Sequence, residues 1–291
     1  MKKQFSIFAL VLIALACSKK DSTTPDSNKN LNLIVASGCL VADVTDSASN
    51  KKTEIYTYDA SRRLIKIEYP GSAEDGPTTF TYGTGTVSIQ EFNTSGVASE
   101  NPETVPLNAN GYYTGGISSE PDTVKGTPGV RKDTVVLTYT SDNRLLSIKY
   151  TFTTYANGTN AILNQGRSTT NCTYAGNKLT KIVRSSYYGV DDRDNGSSTT
   201  EYTYDEASPT VKSNYEVSEE FNLFGSLQSD KIPVKVVGTY TSAGSSTPGV
   251  NTTTYTAVVD AKGNPTKIRT VLTYNGSSPT IRTKIYTYNC P

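Results

Sequence analysis

The stretch TYDASRRLIKIEY, residues 57–69, is written again as TYTSDNRLLSIKY at 138–150. A shorter form, TYAGNKLTKIVRS, occupies 173–185, and a looser one, VVDAKGNPTKIRT, occupies 258–270. Ahead of the first turn, TEIYTY (53–58) alternates, with Ile55 and Thr57 pointing one way and Tyr56 and Tyr58 the other. DASRR (59–63) supplies turn residues. LIKIEY (64–69) then alternates again, placing Ile65, Ile67 and Tyr69 on one face and Lys66 and Glu68 on the opposite one. A period of two, broken by a short polar segment, is the pattern of a β-hairpin. The copies read the same way. Leu146, Ile148 and Tyr150 share a face against Lys149. Gly176-Asn177 suits a tight turn with positive φ. Lys262-Gly263-Asn264 turns the chain ahead of Ile268, Leu272 and Tyr274, which fall on one side. The repeated unit is strand, turn, strand, so the expected fold is all-β. It is an antiparallel meander of hairpins forming a large curled sheet or a closed or half-open barrel. Only at 217–227 does a short helical turn compete with strand and loop.

Composition narrows the chemistry. The 291 residues carry a formal net charge of +1, with acids and bases scattered, and include 20 tyrosines. No basic stripe interleaved with aromatics marks a nucleic-acid surface, so nucleic acid is not an expected partner. Tyrosine and threonine suit half-buried pleated surfaces. The chain has no histidine and no tryptophan. Without histidine there is no Ser-His-Asp triad, no Cys-His pair and no HExxH zinc site, which removes most hydrolase and metalloenzyme templates. The expectation is a non-enzymatic protein with no cofactor.

The N-terminus reads MKKQFSIFALVLIALAC. Lys2 and Lys3 precede an apolar run at 5–16, which has the length of a secretory h-region and falls short of the about 20 residues that a membrane span needs. The run ends at Leu15-Ala16-Cys17 and turns polar at once. This resembles a bacterial lipoprotein signal, in which Cys17 becomes the N-terminal residue and receives a diacylglycerol. The division expected is a signal peptide at 1–16, a lipidated flexible tether at 17–30, rich in Ser, Thr, Asn, Asp and Lys, and a single all-β domain at 31–291. The membrane is then a partner through the N-terminal lipid.

Three further cysteines remain: Cys39, Cys172 and Cys290. Export permits disulfides, but an odd number leaves one over. Cys39 opens the ordered region and Cys290 nearly ends it, so neighbouring first and last strands would let them bridge; three buried thiols are the competing reading. Cys172, in a strand-like stretch, reads as a core residue.

The hairpin units resemble YD repeats of large secreted shell proteins, on Tyr58-Asp59 with Arg63-Leu64 and on Asp260, Gly263-Asn264 and Ile268. Over most of 31–291 the chain resembles a family of Bacteroidota lipoproteins described as having a porin-like fold. The lipobox, the Tyr-x-Tyr strand ends, the Leu-x-Lys-Ile returns and the closing YTYNC carry that resemblance. It implies a barrel-like sheet in the cell envelope, attached to the outer membrane, and implies no activity; the periplasmic or surface side stays open. Lys66, Glu68, Lys181, Lys267, Arg269, Arg282 and Lys284 stand mid-strand. On a lipid-facing wall each would cost roughly 2–4 kcal/mol, so the charged face is expected in water and the apolar face inside.

Four candidate sites stand beside plainer readings. Asp191, Asp192 and Asp194 in GVDDRDNGSS offer oxygen ligands to a hard cation such as Ca²⁺, although a solvated turn is the favoured reading. Tyr112-Tyr113 and Tyr187-Tyr188, beside Gly-rich loops, would form a glycan-binding lip, although most tyrosines here are strand-end packing residues. Glu219 and Glu220 raise a carboxylate-based glycan hydrolase. Adjacent strand residues point to opposite faces, so a partner would have to come from elsewhere. The long polar linkers are the remaining candidates, since loops carry binding when it occurs. An envelope protein or a glycan is the expected ligand class.

Overall fold

A computed structural model describes residues 39–99, 101–109, 111–141, 144–189, 194–206, 208–209, 231–241 and 247–290; 217–227, Glu219 and Glu220 lie outside them. Among the described residues sixteen strands form one antiparallel sheet: β1 (Leu40–Asp46), β2 (Lys51–Tyr58), β3 (Leu64–Glu68), β4 (Thr78–Gly83), β5 (Thr86–Glu91), β6 (Glu103–Pro106), β7 (Gly115–Val124), β8 (Thr127–Tyr139), β9 (Leu145–Ala156), β10 (Ile162–Ala175), β11 (Lys178–Tyr188), β12 (Asp194–Thr203), β13 (Lys235–Thr241), β14 (Gly249–Val259), β15 (Pro265–Tyr274) and β16 (Thr280–Asn289). Each strand pairs with its neighbour in sequence, except that β1 also pairs with β16, and β6 and β7 meet at a seam. The barrel therefore closes across the chain ends. At the seam the two edges share an isolated bridge between Leu107 and Tyr113 and a hydrogen bond from the Thr114 amide to the Pro106 carbonyl at 3.4 Å.

The up-and-down course puts Cys39, Cys290 and the turns of the repeated hairpins at one end, here called the base. Cys39 and Cys290 are joined there in a disulfide. Above the base the inward faces pack into one core, which includes Val44, Tyr56, Ile67, Phe80, Ile148 and Leu179. The wall is uneven. β1–β6 run 4–8 residues and β7–β12 run 10–14, so the second half rises above the core.

The repeated sequence has a local cause. Asp59 accepts from the Arg63 amide at 2.8 Å and from its Nε at 2.7 Å, while the Asp59 amide donates to the Arg63 carbonyl at 2.9 Å. Asp260 holds Asn264 in the same five-residue turn, with Oδ1 accepting from its amide at 2.8 Å and Oδ2 from its Nδ2 at 2.9 Å. At Thr140 the hydroxyl replaces the carboxylate, accepting from the Arg144 amide at 3.0 Å. These side chains close the turn themselves, as short polar residues do.

After each turn comes a β-bulge. The register slips between Thr57 and Tyr58 opposite β3, between Thr138 and Tyr139 opposite β9, between Thr173 and Tyr174 opposite β11, and between Val258 and Val259 opposite β15. One residue is left over in each return strand: Ile65, Leu146, Thr180 and Thr266. This corrects two face assignments made from alternation. Leu64 and Ile67 are inside with Tyr69, and Ile65 is the extra residue; Leu145 is fully buried, while Leu146 is 44% exposed. An inserted residue reverses the parity of a strand, so Leu-x-Lys-Ile reads in, extra, out, in.

Candidate functional site

Tyrosines tie the base together. The hydroxyls of Tyr58, Tyr82, Tyr174 and Tyr204 donate to the carbonyls of Val41, Leu64, Leu145 and Leu179 at 2.8–3.0 Å. Tyr288 donates to the Pro265 carbonyl at 2.6 Å. The residue ahead of each leucine stacks on the same ring: Arg63 over Tyr82 and Arg144 over Tyr174, both at 4.7 Å, and Lys178 over Tyr204 at 5.8 Å. Each basic-Leu pair thus holds the next hairpin's tyrosine by its ring and its hydroxyl, a cation–π contact and a hydrogen bond together. Burial raises the pKa of Tyr58 and Tyr82, which keeps both as donors. This girdle is structural. Beside it a cavity of about 380 Å³ lined by Leu40, Tyr56, Tyr58, Asp59, Arg62 and Cys290 opens next to the disulfide.

The inner face of the tall wall carries a second polar constellation. Asp133, 3% exposed, accepts from Arg131 Nε at 3.0 and 3.1 Å and from the Tyr150 hydroxyl. Arg131 also bonds Tyr150 and lies 4.2 Å above the Phe152 ring. Phe152 packs in turn against Tyr188, with centroids 6.2 Å apart. Gly166 on β10 makes room for both rings, because a Cβ there would stand 2.3 Å from Phe152 and 3.0 Å from Tyr188. Burial lowers the Arg131 pKa, but Tyr150 and Asp133 outweigh it and raise it. Burial, then the Asp133 bond, raises that of Tyr150. The group is a clamped cation and carboxylate with its phenol held neutral. It braces the wall where the core no longer reaches, and holds no side chain poised as a nucleophile.

Near the far end of the inner face, Tyr240 and Tyr274 stack at 6.0 Å. Gly249, opposite Tyr240, leaves room for this placement of the ring, since a Cβ would stand 1.9 Å from it and the tyrosine would have to swing aside.

Outward positions differ in kind. Threonine faces out on β8, β9, β10, β12, β13 and β14, at Thr134, Thr151, Thr169, Thr199, Thr239 and Thr252, opposite in parity to the core. Lys132, Lys149 and Arg167 stand among them, exposed. Of the charges placed outside from alternation, Lys66, Glu68, Lys181, Lys267 and Arg269 lie outside. Arg282 and Lys284 do not. They share the inward parity of Tyr286, and Lys284 pairs there with Glu54 at 3.1 Å.

The sequence-derived candidates are scattered. Tyr113 is in the core, and Tyr112 stacks on Tyr139 at the base, 5.7 Å between centroids. Tyr187 and Tyr188 end β11 at the other end of the barrel, on opposite faces, with Arg167 over Tyr187 at 4.7 Å. The structure does not bring the two doublets together into one lip. Cys17, Asp191 and Asp192 lie outside the described residues, and Asp194 opens β12. Among the described residues no three metal-ligating side chains converge. Cys172 is a buried free thiol, its pKa pushed up by burial to about 12. Sequence reasoning missed the Arg131–Asp133–Tyr150 group, although the run VRKD and Tyr150 within the repeat were visible; no sequence signal pairs β8 with β9 in that register.

No protein-family model matches the chain, and no curated protein does. Solved structures with a similar fold include two from Bacteroides. A porin-like protein from Bacteroides vulgatus is 17% identical, covering 86% of this chain and 98% of that one, with a TM-score of 0.54. A porin-like protein from Bacteroides uniformis is likewise 17% identical with the same coverage, at a TM-score of 0.50. The likeness is one of fold.

Proposed function

We propose that the chain is an exported, lipid-anchored cell-envelope protein whose barrel stands in water as a non-enzymatic binding module. One observation carries the reading: charged and threonine side chains interrupt the outward faces of the strands, so that the exposed outward apolar residues, such as Ile117, Val136, Val258 and Ile281, stand among polar ones where a membrane barrel would present an apolar band. A lipid-facing wall must be apolar across about 25 Å, and Lys132, Lys149 and Arg167 stand within the wall of β8–β10. Among the described residues no helix is long and apolar enough to cross a membrane, so strands would be the only described elements to do it, and their outer surface does not suit lipid. The packed core fills the base, which does not suit a through-channel. The fold shared with porin-like proteins of Bacteroides supports an envelope setting.

Attachment then falls to Cys17. Both described chain ends lie at the base, so a tether leaving Cys39 directs the base toward the membrane and the tall wall away from it. The test replaces residues 1–17 with a secretory signal that is cleaved without lipidation. The wild-type chain is expected in the membrane fraction and the unanchored chain in the soluble fraction. An unanchored chain that stays with membranes through an alkaline carbonate wash would show that the barrel itself is embedded, and the reading would fall.

A further inference from the structure

Arg184 stands on the inner face of β11 just above the core, one step beyond Ile182, and bonds the Tyr188 hydroxyl. Other cations that face inward above the core meet carboxylates: Arg131 that of Asp133, Lys284 that of Glu54, and Arg282 acts on that of Asp46. Arg184 meets a phenol instead. Burial lowers the pKa of both Arg131 and Arg184; Tyr150 and Asp133 outweigh it at Arg131, while Tyr188 does not outweigh it at Arg184. None of the inward positions beside Arg184 on β10, β11 and β12 is acidic, and Ser168, Thr170, Ser186, Ser198 and Thr200 bring hydroxyls to it. Thr170, 3% exposed, lies directly opposite. Its Oγ1 and the Arg184 Nε are both buried with no hydrogen-bond partner among the described residues.

The rings at this level lean aside. Tyr188 leans over Gly166 on β10 to pack on Phe152, and Tyr240 leans over Gly249 on β14 to stack on Tyr274. Both therefore lean away from β12, and the wall between them is Ser186, Gly196 and Ser198. Tyr188 is 38% exposed, and Ser186 and Ser198 are half-buried, so this part of the lumen is reached from the end of the barrel opposite the base.

We infer that the inner face of β10–β13 binds a sugar acid, with Arg184 taking the carboxylate, the serine and threonine hydroxyls taking the ring hydroxyls, and Tyr188 and Tyr240 flanking the ring. The inference gives the binding module its site and rests on that reading. A guanidinium presents paired donors in the geometry that a carboxylate accepts, and the mouth of a barrel is a usual place for a small ligand. An inorganic anion would leave the hydroxyls and the rings unused. An apolar acid would cover the hydroxyls without satisfying them, which a buried polar group penalises.

The test titrates the full lipid-bearing chain in detergent with galacturonate, galactose and benzoate, followed by calorimetry. Galacturonate is expected to bind saturably, with galactose and benzoate at least about tenfold weaker. Arg184→Gln should lose about tenfold or more, and Ser198→Leu, which keeps the charge but fills the wall between the rings, a similar amount. Arg282→Gln, which removes an inward cation elsewhere in the lumen, should lose about twofold or less. Each variant is read only if it melts as cooperatively as the wild type, and the three wild-type titrations decide the ligand class without any variant. No saturable binding of galacturonate, galactose or benzoate bound as tightly, or equal losses in Arg184→Gln and Arg282→Gln would each overturn the assignment. The fractionation result stands apart: a barrel that stays embedded defeats the envelope-module reading, whereas a released barrel that binds no galacturonate defeats only this one.

Discussion

Leu145 and Leu146 are adjacent, identical in chemistry and opposite in expected consequence. Plain alternation through TYTSDNRLLSIKY puts Leu146 in line with Ile148 and Tyr150. The bulge opposite Thr138 and Tyr139 puts Leu145 there instead, fully buried, with Leu146 44% exposed. Truncating a fully buried leucine costs roughly 3–5 kcal/mol, the transfer of the lost carbons plus the cavity they leave. Leu145 also offers its carbonyl to Tyr174 beneath the stacked Arg144, so collapse into the vacancy is hindered and the upper half of that range applies. For Leu146→Ala only part of the side chain leaves an apolar contact, and the loss is about 1 kcal/mol or less. Urea unfolding followed by near-UV circular dichroism separates the two. At a slope of about 3 kcal/mol/M, Leu145→Ala lowers the midpoint by about 1 M or more and Leu146→Ala by about 0.3 M. Equal losses, or a larger loss at Leu146, would refute the bulge and with it the account of why the motif repeats.

Three further outcomes are expected. Tyr174→Phe keeps the ring under Arg144 but removes the donor to the Leu145 carbonyl, for a loss of about 1–2 kcal/mol in the same urea assay; a neutral substitution would mean that the girdle is held by the rings alone. Cys39 and Cys290 should appear as one linked peptide in a non-reducing digest, with Cys172 alkylated only after unfolding. Replacing both with alanine should cost up to about 5 kcal/mol on the chain-entropy account of a loop this long, and a bridge to Cys172 would contradict the closure of β1 on β16. Acid should destabilise the repeated turns. Burial raises the Asp59 and Asp260 pKa values, but the bonds from Arg63 and from Asn264 outweigh it and hold both below the usual carboxylate value. A carboxyl depressed in the folded state contributes stability above its unfolded pKa of about 3.9, and that stability is lost as pH falls through the folded value. The urea midpoint should therefore drop below about pH 4, and less steeply in Asp59→Asn and Asp260→Asn.

The hairpins were legible because their signal is local. A period of two and a five-residue polar turn are both contained in a dozen residues, and the structure keeps the strands at each copy. The bulge was less legible, since an extra residue among apolar neighbours leaves the alternation looking intact while reversing its phase. Closure was legible only through the cysteines: Cys39 and Cys290 flank β1 and β16, and their bridge goes with the pairing of those two strands. The seam was not legible, since nothing in SEPDTV marks β7 as an edge, although Pro106 and Pro121 on the two seam strands suit edges, where an amide donor is dispensable. The doublets Tyr112-Tyr113 and Tyr187-Tyr188 looked alike in sequence because adjacency is all that a sequence shows; topology sends one to the base and the other to the opposite end.

The charge pattern shows why composition concealed the outer face. A chain of net charge +1 with mixed signs reads as neutral everywhere, and the run Arg131-Lys132-Asp133 reads as a balanced patch. Once it is a strand, parity divides it. Arg131 and Asp133 turn inward and satisfy each other with Tyr150, while Lys132 is left alone on the outside over Tyr155. The same division recurs where Asp122 turns in to Thr154 and where Arg167 turns out to Tyr187. Burying a carboxylate demands a partner, so the inward acids consume hydrogen-bond donors along the tall wall and leave none of their negative charge facing out. The surface field of β8–β11 is set by which residues the fold removes from the surface, and it follows from the register of four strands rather than from the charge of the chain.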